Sequence, residues 1–164
     1  MNRCGAAPRA LLPAAEALSL SVEIIAGGRA KGAPETALAL GYLERAREAG
    51  RSLGFSTFGL READERKESA FAFDGLGVAL DEHGKSLGSV AFAQTLAAWR
   101  DAGEPRVTFV IGGSDGLPDS VRTRARTTIA LGVQTWPHLL VRTMLAEQLY
   151  RAVTILAGHP YHRA

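Results

Sequence analysis

The last six residues, His159-Pro160-Tyr161-His162-Arg163-Ala164, hold two of the chain's four histidines, one of its three tyrosines and an arginine. Histidine exchanges protons near neutral pH, and arginine holds anions with a planar fork of donors. Chain ends usually fray, so this concentration leaves two readings open: a solvated tail, or a tail held inside a site. His138 follows Trp136-Pro137. The residue before a proline is driven toward extended conformations. A helix is therefore predicted to begin after Pro137, with His138 at its entrance, ordering the terminus or exchanging a proton. Within that helix Glu147 and Arg151 are four residues apart and can pair.

A third group is the glycine-rich stretch Gly112-Gly113-Ser114-Asp115-Gly116. Small residues after a strand let backbone N–H groups approach a ligand closely. A phosphate-binding loop would continue into Lys-Ser or Lys-Thr, whereas Leu117 and Pro118 stand here, and the G-x-G-x-x-G spacing is absent. The stretch is not G-x-S-x-G either. Nucleotide hydrolysis and serine-nucleophile chemistry are therefore disfavoured. The histidine pair His159 and His162 has no carboxylate or cysteine beside it, so no metal site is expected.

The elements that must position these groups follow from periodicity. Residues 18–28 alternate and then run apolar into two glycines, which reads as a strand. Residues 33–50 read as an amphipathic helix with Pro34 and Glu35 at its start, Leu38, Tyr42 and Leu43 on one face, and Gly50 as its stop. Residues 54–60 read as a short strand, and the following READERKESAFAF is charged and helix-prone. Residues 75–85 are an apolar strand that enters a polar turn after Leu80. Residues 89–103 are a second amphipathic helix carrying Phe92, Leu96 and Trp99. Residues 106–117 are a buried strand opening into the glycine loop. A short basic helix over 119–127 and a long helix over 138–158 complete the chain. Alternating strands and helices predict an α/β fold, with a mostly parallel sheet flanked by helices. Ligands of such sheets bind at the carboxyl ends of strands, which singles out the loops after Leu80, at 111–116 and at 131–138.

Composition bounds the class. The 164 residues are 46% hydrophobic and 22% charged, with a net charge of +2, enough to bury a core within one domain. Residues 1–17 read as a loosely ordered extension and 18–164 as the single domain. Two arginine groups, Arg45/Arg47/Arg51 and Arg122/Arg124/Arg126, permit an RNA partner, although a solvated charged face is the commoner origin of such groups. The one cysteine, Cys4, excludes an internal disulfide and a cysteine-rich zinc site. No apolar run approaches the ~20 residues of a membrane span. A cytoplasmic protein is expected. The last helix carries Leu140, Val141, Met144, Leu145, Leu149, Ala152, Val153 and Leu156, more than one apolar face, and so predicts a symmetric dimer.

ALDEHGK, FVIGGSDGL and TWPHLLVRTMLAEQLYRAVTILAGHPYHRA, in this order, closely resemble the ribosomal RNA large-subunit methyltransferase H family of the SPOUT superfamily. The resemblance runs from about Leu18 to Ala164, and EQLYRA with the terminal PYHR is its most diagnostic part. It implies an α/β fold with a C-terminal trefoil knot and S-adenosylmethionine as methyl donor. The implied acceptor is N3 of a pseudouridine in 23S ribosomal RNA on assembled ribosomes, and the implied assembly is a homodimer. By position it implies cofactor contacts at Leu80, Gly112, Leu131, Gly132, Val133, Gln134, Thr135 and Trp136. It also implies an acceptor pocket of His138, Arg151, Tyr161, His162 and Arg163, some of them from the other copy. Held by the knot, the tail would be part of a site. A non-catalytic ribosome-binding module of the same fold, or a methyltransferase of another RNA such as tRNA, are the alternatives.

Overall fold

Leu20–Gly27 (β1) buries Leu20, Val22, Ile24 and the continuous run Ile25–Gly27, the pattern of a strand covered on both faces. The computed structural model describes residues 19–161; the expected extension and the tail residues His162 and Arg163 lie outside the described residues. The chain continues through Pro34–Gly50 (α1), Phe55–Ala63 (β2), Leu76–Ser86 (β3), Ser89–Asp101 (α2), Arg106–Ile111 (β4), Asp119–Arg124 (α3), Thr127–Ala130 (β5) and His138–Leu156 (α4). The five strands form one sheet in the order β2-β1-β4-β3-β5, with every neighbouring pair parallel. Parallel neighbours need crossover connections, and α1 and α2 supply two of them.

α4 packs on α1 and α2, on one face of the sheet. The core between them contains Phe55, Phe92, Leu96, Phe109, Leu145 and Leu149. A smaller cluster on the other face gathers Ile25, Phe71, Ala79, Val110, Leu117 and Val121 under α3 and a single 3-10 turn at Glu68–Phe71. Both faces are thus closed, which is why β1 and β4 end in continuous apolar runs, residues 24–27 and 109–111.

Four details depart from the expectation. READERKESAFAF is not helical: its first three residues complete β2, pairing to Gly27↔Ala63, and only Glu68–Phe71 forms a 3-10 turn. The basic helix stops at Arg124, and residues 127–130 form an unexpected strand whose backbone is captured by β3. On α1 the buried face is Ala39, Leu43, Ala46 and Gly50, and Leu38 is 50% exposed. Finally, β3 does not end at Leu80. A register shift lets residues 81–84 arch around β5, so Leu80 and Lys85 both partner Ile129. Gly84 is required there, because a Cβ would lie 2.6 Å from the Ile129 carbonyl carbon.

Candidate functional site

The carboxyl ends of β3, β4 and β5, with the start of α4, enclose a cavity of about 580 Å³. Its walls come from all three loops singled out in the sequence. Leu80, Gly112, Leu131, Gly132, Gln134, Thr135 and Trp136 line it, together with His138. Val133 does not: it is 89% exposed and directed away, the one expected cofactor residue placed outside the walls. The loop that carries it folds on itself, the Trp136 indole N–H donating to the Leu131 carbonyl at 3.1 Å. Two carboxylates stand at the rim. Glu82 accepts from the Thr135 hydroxyl at 2.5 Å, linking the loops after β3 and β5. Asp81 is held below the usual carboxylate range, first by the His83 backbone N–H, with the His83 ring and the Arg122 guanidinium adding to it.

The β4 loop is formed by contact of backbone on backbone. A Cβ on Gly112 would lie 2.3 Å from the Gly116 carbonyl carbon, and one on Gly27 would lie 2.5 Å from the Gly113 nitrogen. Gly116 itself has φ of 78°, a conformation that side chains rarely adopt. Glycines therefore make the floor of the cavity, which exposes peptide groups in place of side chains.

The expected acceptor residues are not all together. His138 lines the cavity, but Arg151 lies thirteen residues along α4, about 20 Å away at 1.5 Å per residue. Arg151 Nε donates to Glu147 at 2.9 Å, and the Tyr161 hydroxyl donates to the same carboxylate at 3.1 Å. The Arg151 guanidinium sits 5.1 Å from the centre of the Tyr161 ring, which in turn packs on Tyr150. Burial, then the Glu147 carboxylate, push the Tyr161 phenol up to about 12. At neutral pH it is thus a hydrogen-bond donor and not a base. Within one chain, two of the expected residues form this second cluster, far from the cavity.

Sequence reading missed the most deeply buried charge. Arg142 is 0% exposed. Its Nη1 donates to Glu62 Oε1 at 3.1 Å, and its Nη2 donates to the carbonyls of Gly27 and Gly28, the latter at 2.8 Å. Glu62 in turn accepts from the Ala30 N–H at 2.8 Å. One guanidinium therefore ties α4 to the ends of β1 and β2, one turn after His138. The signal was present: Arg142 shares the buried stripe of α4 with Leu145, Ala146, Leu149 and Val153, where an arginine demands buried partners.

Comparison with known proteins agrees with this architecture. The family described as "Predicted SPOUT methyltransferase" matches residues 20–162. The chain is 49% identical to the ribosomal RNA large subunit methyltransferase H of Bradyrhizobium diazoefficiens, over 88% of this chain and 100% of that protein. It is 46% identical, with the same coverage, to the protein of that name from Rhodopseudomonas palustris. Among solved structures, a probable methylase family protein from Haemophilus influenzae aligns with a TM-score of 0.50 at 10% identity, over 90% of this chain and 72% of that one, a likeness of fold alone. The fold and its carboxyl-end cavity define a SPOUT methyltransferase, and the chain belongs to that family. Within it, the chain belongs to the ribosomal RNA large subunit methyltransferase H family.

Proposed function

We propose that this chain transfers a methyl group from S-adenosylmethionine to N3 of a pseudouridine in 23S ribosomal RNA on assembled ribosomes, as a cytoplasmic homodimer whose residues 18–164 are one domain. The observation that carries this reading is the glycine-floored cavity between three strand ends, in a chain whose close relatives bear that name. Its walls fit the donor. Leu80, Ile111 and Leu131 offer apolar surface for a flat base, and the peptide groups around Gly112 and Gly132 offer hydrogen bonds without charge. When bound, S-adenosylmethionine supplies an electrophilic methyl group on a sulfonium. The trefoil knot belongs to the same reading, and its support is the family match over residues 20–162.

The chain's own work is alignment and proton removal. In-line transfer needs the acceptor nitrogen held against the methyl group, and such positioning removes much of the barrier. The N3–H proton must leave as the new bond forms, and His138 on the cavity wall is the group to take it. An arginine then steadies the developing negative charge on the ring.

Arg151 and Tyr161 cannot reach His138 within one chain, so a second copy is the natural source, together with its tail. An apolar recess supports that reading. A recess of about 510 Å³ lies between α1 and α4, lined by Leu38, Tyr42, Leu87, Met144 and Gln148, and Leu140 is exposed nearby. A site shared between copies makes inactive variants complement. His138→Ala and Arg151→Ala enzymes are each expected to be inactive alone. Randomly mixed dimers should recover about a quarter of wild-type turnover, since half are heterodimers with one intact site of two. No recovery in verified heterodimers would mean that one chain supplies both residues to a site, against the distance along α4.

Methyl-labelled S-adenosylmethionine, offered with unmodified ribosomes, free ribosomal RNA and tRNA, tests the activity itself. Label confined to the large-subunit RNA of ribosomes is expected. Cofactor binding with no label in any RNA would leave the non-catalytic module, and label in tRNA would replace the substrate.

A further inference from the structure

Three cations on the β2–β1 side of the cavity have no ion-pair partner among the described residues: Arg29 and Lys31 in the loop after β1, and Lys67 in the loop after β2. All three are exposed. The acids around them are already engaged. Glu62 accepts from Arg142 and Ala30, Asp64 pairs with Arg66, and Glu65 accepts from the Ser114 N–H at 2.9 Å. That last bond also fixes the geometry. It brings the loop after β2 across the end of β1 to the glycine loop, whose Gly113 and Ser114 line the cavity. The free cations are therefore continuous with the cavity rim.

The two arginine groups conspicuous in the sequence are different. Arg122 pairs with Asp81, Arg126 pairs with Glu104, and Arg124 donates to the Phe73 carbonyl while lying over its ring. Arg47 pairs with Glu44, and Arg45 lies 4.4 Å from the centre of the Tyr42 ring. Those five guanidinium groups are engaged within the fold; Arg51, with no ion-pair partner among the described residues, stands just before β2 at the opposite end of the sheet. Arg29, Lys31 and Lys67 pair with no side chain among the described residues.

We infer that Arg29, Lys31 and Lys67 form a track for the phosphate backbone of the acceptor RNA, which reaches the cavity from the β2–β1 side. The inference rests on the proposed RNA substrate and adds the surface and direction of its approach. A flexible ammonium or guanidinium without a protein partner suits phosphate contacts, which position a strand without reading its sequence. Each such contact releases a counterion, steepening the salt dependence by ~0.7 per phosphate for single strands.

The test is the salt dependence of binding to a fluorescein-labelled single-stranded RNA, with ribosome methylation kinetics alongside. The Arg29→Gln/Lys31→Gln/Lys67→Gln variant is expected to lose ~2 from the slope of log K against log salt. Its KM for ribosomes should rise while kcat holds. Arg51→Gln/Arg106→Gln removes charge at the opposite end of the sheet, where Arg51 precedes β2 and Arg106 begins β4, and should leave the slope within error. Unchanged S-adenosylmethionine affinity and circular dichroism would show that both variants are folded. An unchanged slope in the triple variant overturns the track. So does an equal loss per charge in the control, which would make the effect one of net charge, or a wild type whose RNA binding ignores salt. A wild type that binds RNA through these residues but never methylates it would instead overturn the enzymatic reading and leave the track standing.

Discussion

Gly112→Ala is expected to lower methyl-transfer turnover by about 100-fold and to weaken S-adenosylmethionine binding, a change that titration calorimetry would read directly. The new methyl group would lie 2.3 Å from the Gly116 carbonyl carbon, 2.6 Å from its oxygen and 2.6 Å from the Leu117 nitrogen. Those atoms are backbone, so no side chain can rotate away and the loop itself must move by the better part of an ångström. The loop carries the floor of the cavity, and misplacing a site by ~1 Å costs on the order of 10²-fold in rate. Thermal stability should change little, because residues 114–116 are exposed and can shift without opening the core. Gly59→Ala is the control. Gly59 lies in β2 away from the cavity and the recess, without a positive φ and with open space where a Cβ would stand, so that variant should bind and turn over like the wild type. Wild-type affinity in Gly112→Ala would mean that the glycine loop does not touch the donor.

Where local chemistry decided the structure, the sequence was a good guide. β1 and β4 end in continuous apolar runs because both their faces are covered there, and Pro137 starts α4 at His138 by excluding helix before it. Where a distant partner decided it, periodicity had nothing to read. The end of β2 carries Arg61, Glu62 and Ala63, whose charges favour helix on propensity, yet pairing with Ile25, Ala26 and Gly27 holds them extended. β5 is four residues long and exists because β3 captures it, resuming the parallel pairing at Lys85 after a register shift. The site divides in the same way. Seven of the eight expected cofactor positions line one cavity, since loops at adjacent strand ends must converge. The EQLYRA and PYHR motifs identified the family, yet a linear motif does not say which residues are neighbours in one chain, and Arg151 and Tyr161 cluster on Glu147 well away from His138.

Arg142→Met should be the most damaging single change to the fold, at about 3–5 kcal/mol of stability, the usual result of removing one partner from a buried ionic network. Methionine approximates the length of the side chain but donates nothing. The carbonyls of Gly27 and Gly28 would lose their buried donor, and Glu62 would keep only the Ala30 N–H. The Glu62 side chain is 32% exposed, so water can reach part of what is lost, and the lower half of the range applies. For a chain of this size each kcal/mol is worth ~2–4 °C in melting temperature, so a drop of about 10 °C is expected in calorimetry. Lysine would be a poor substitute, because one ammonium cannot reproduce a fork that bonds a carboxylate and two carbonyls together. Glu62→Gln should cost less than Arg142→Met, since the amide oxygen still accepts and the guanidinium keeps both carbonyls. Combining the two changes should cost less than their sum, a coupling that a double-mutant cycle measures. The consequence extends to the site. A Cβ on Gly28 would lie 3.7 Å from His138 Nε2 and 3.8 Å from Arg142 Nη2, so the imidazole and the guanidinium meet at the same point just past the end of β1. Arg142→Met enzyme assayed well below its melting temperature should therefore lose kcat as well, because the start of α4 is no longer fixed to the strand end it faces. Full kcat in a destabilised variant would show that the guanidinium supports the fold alone and that other contacts place His138.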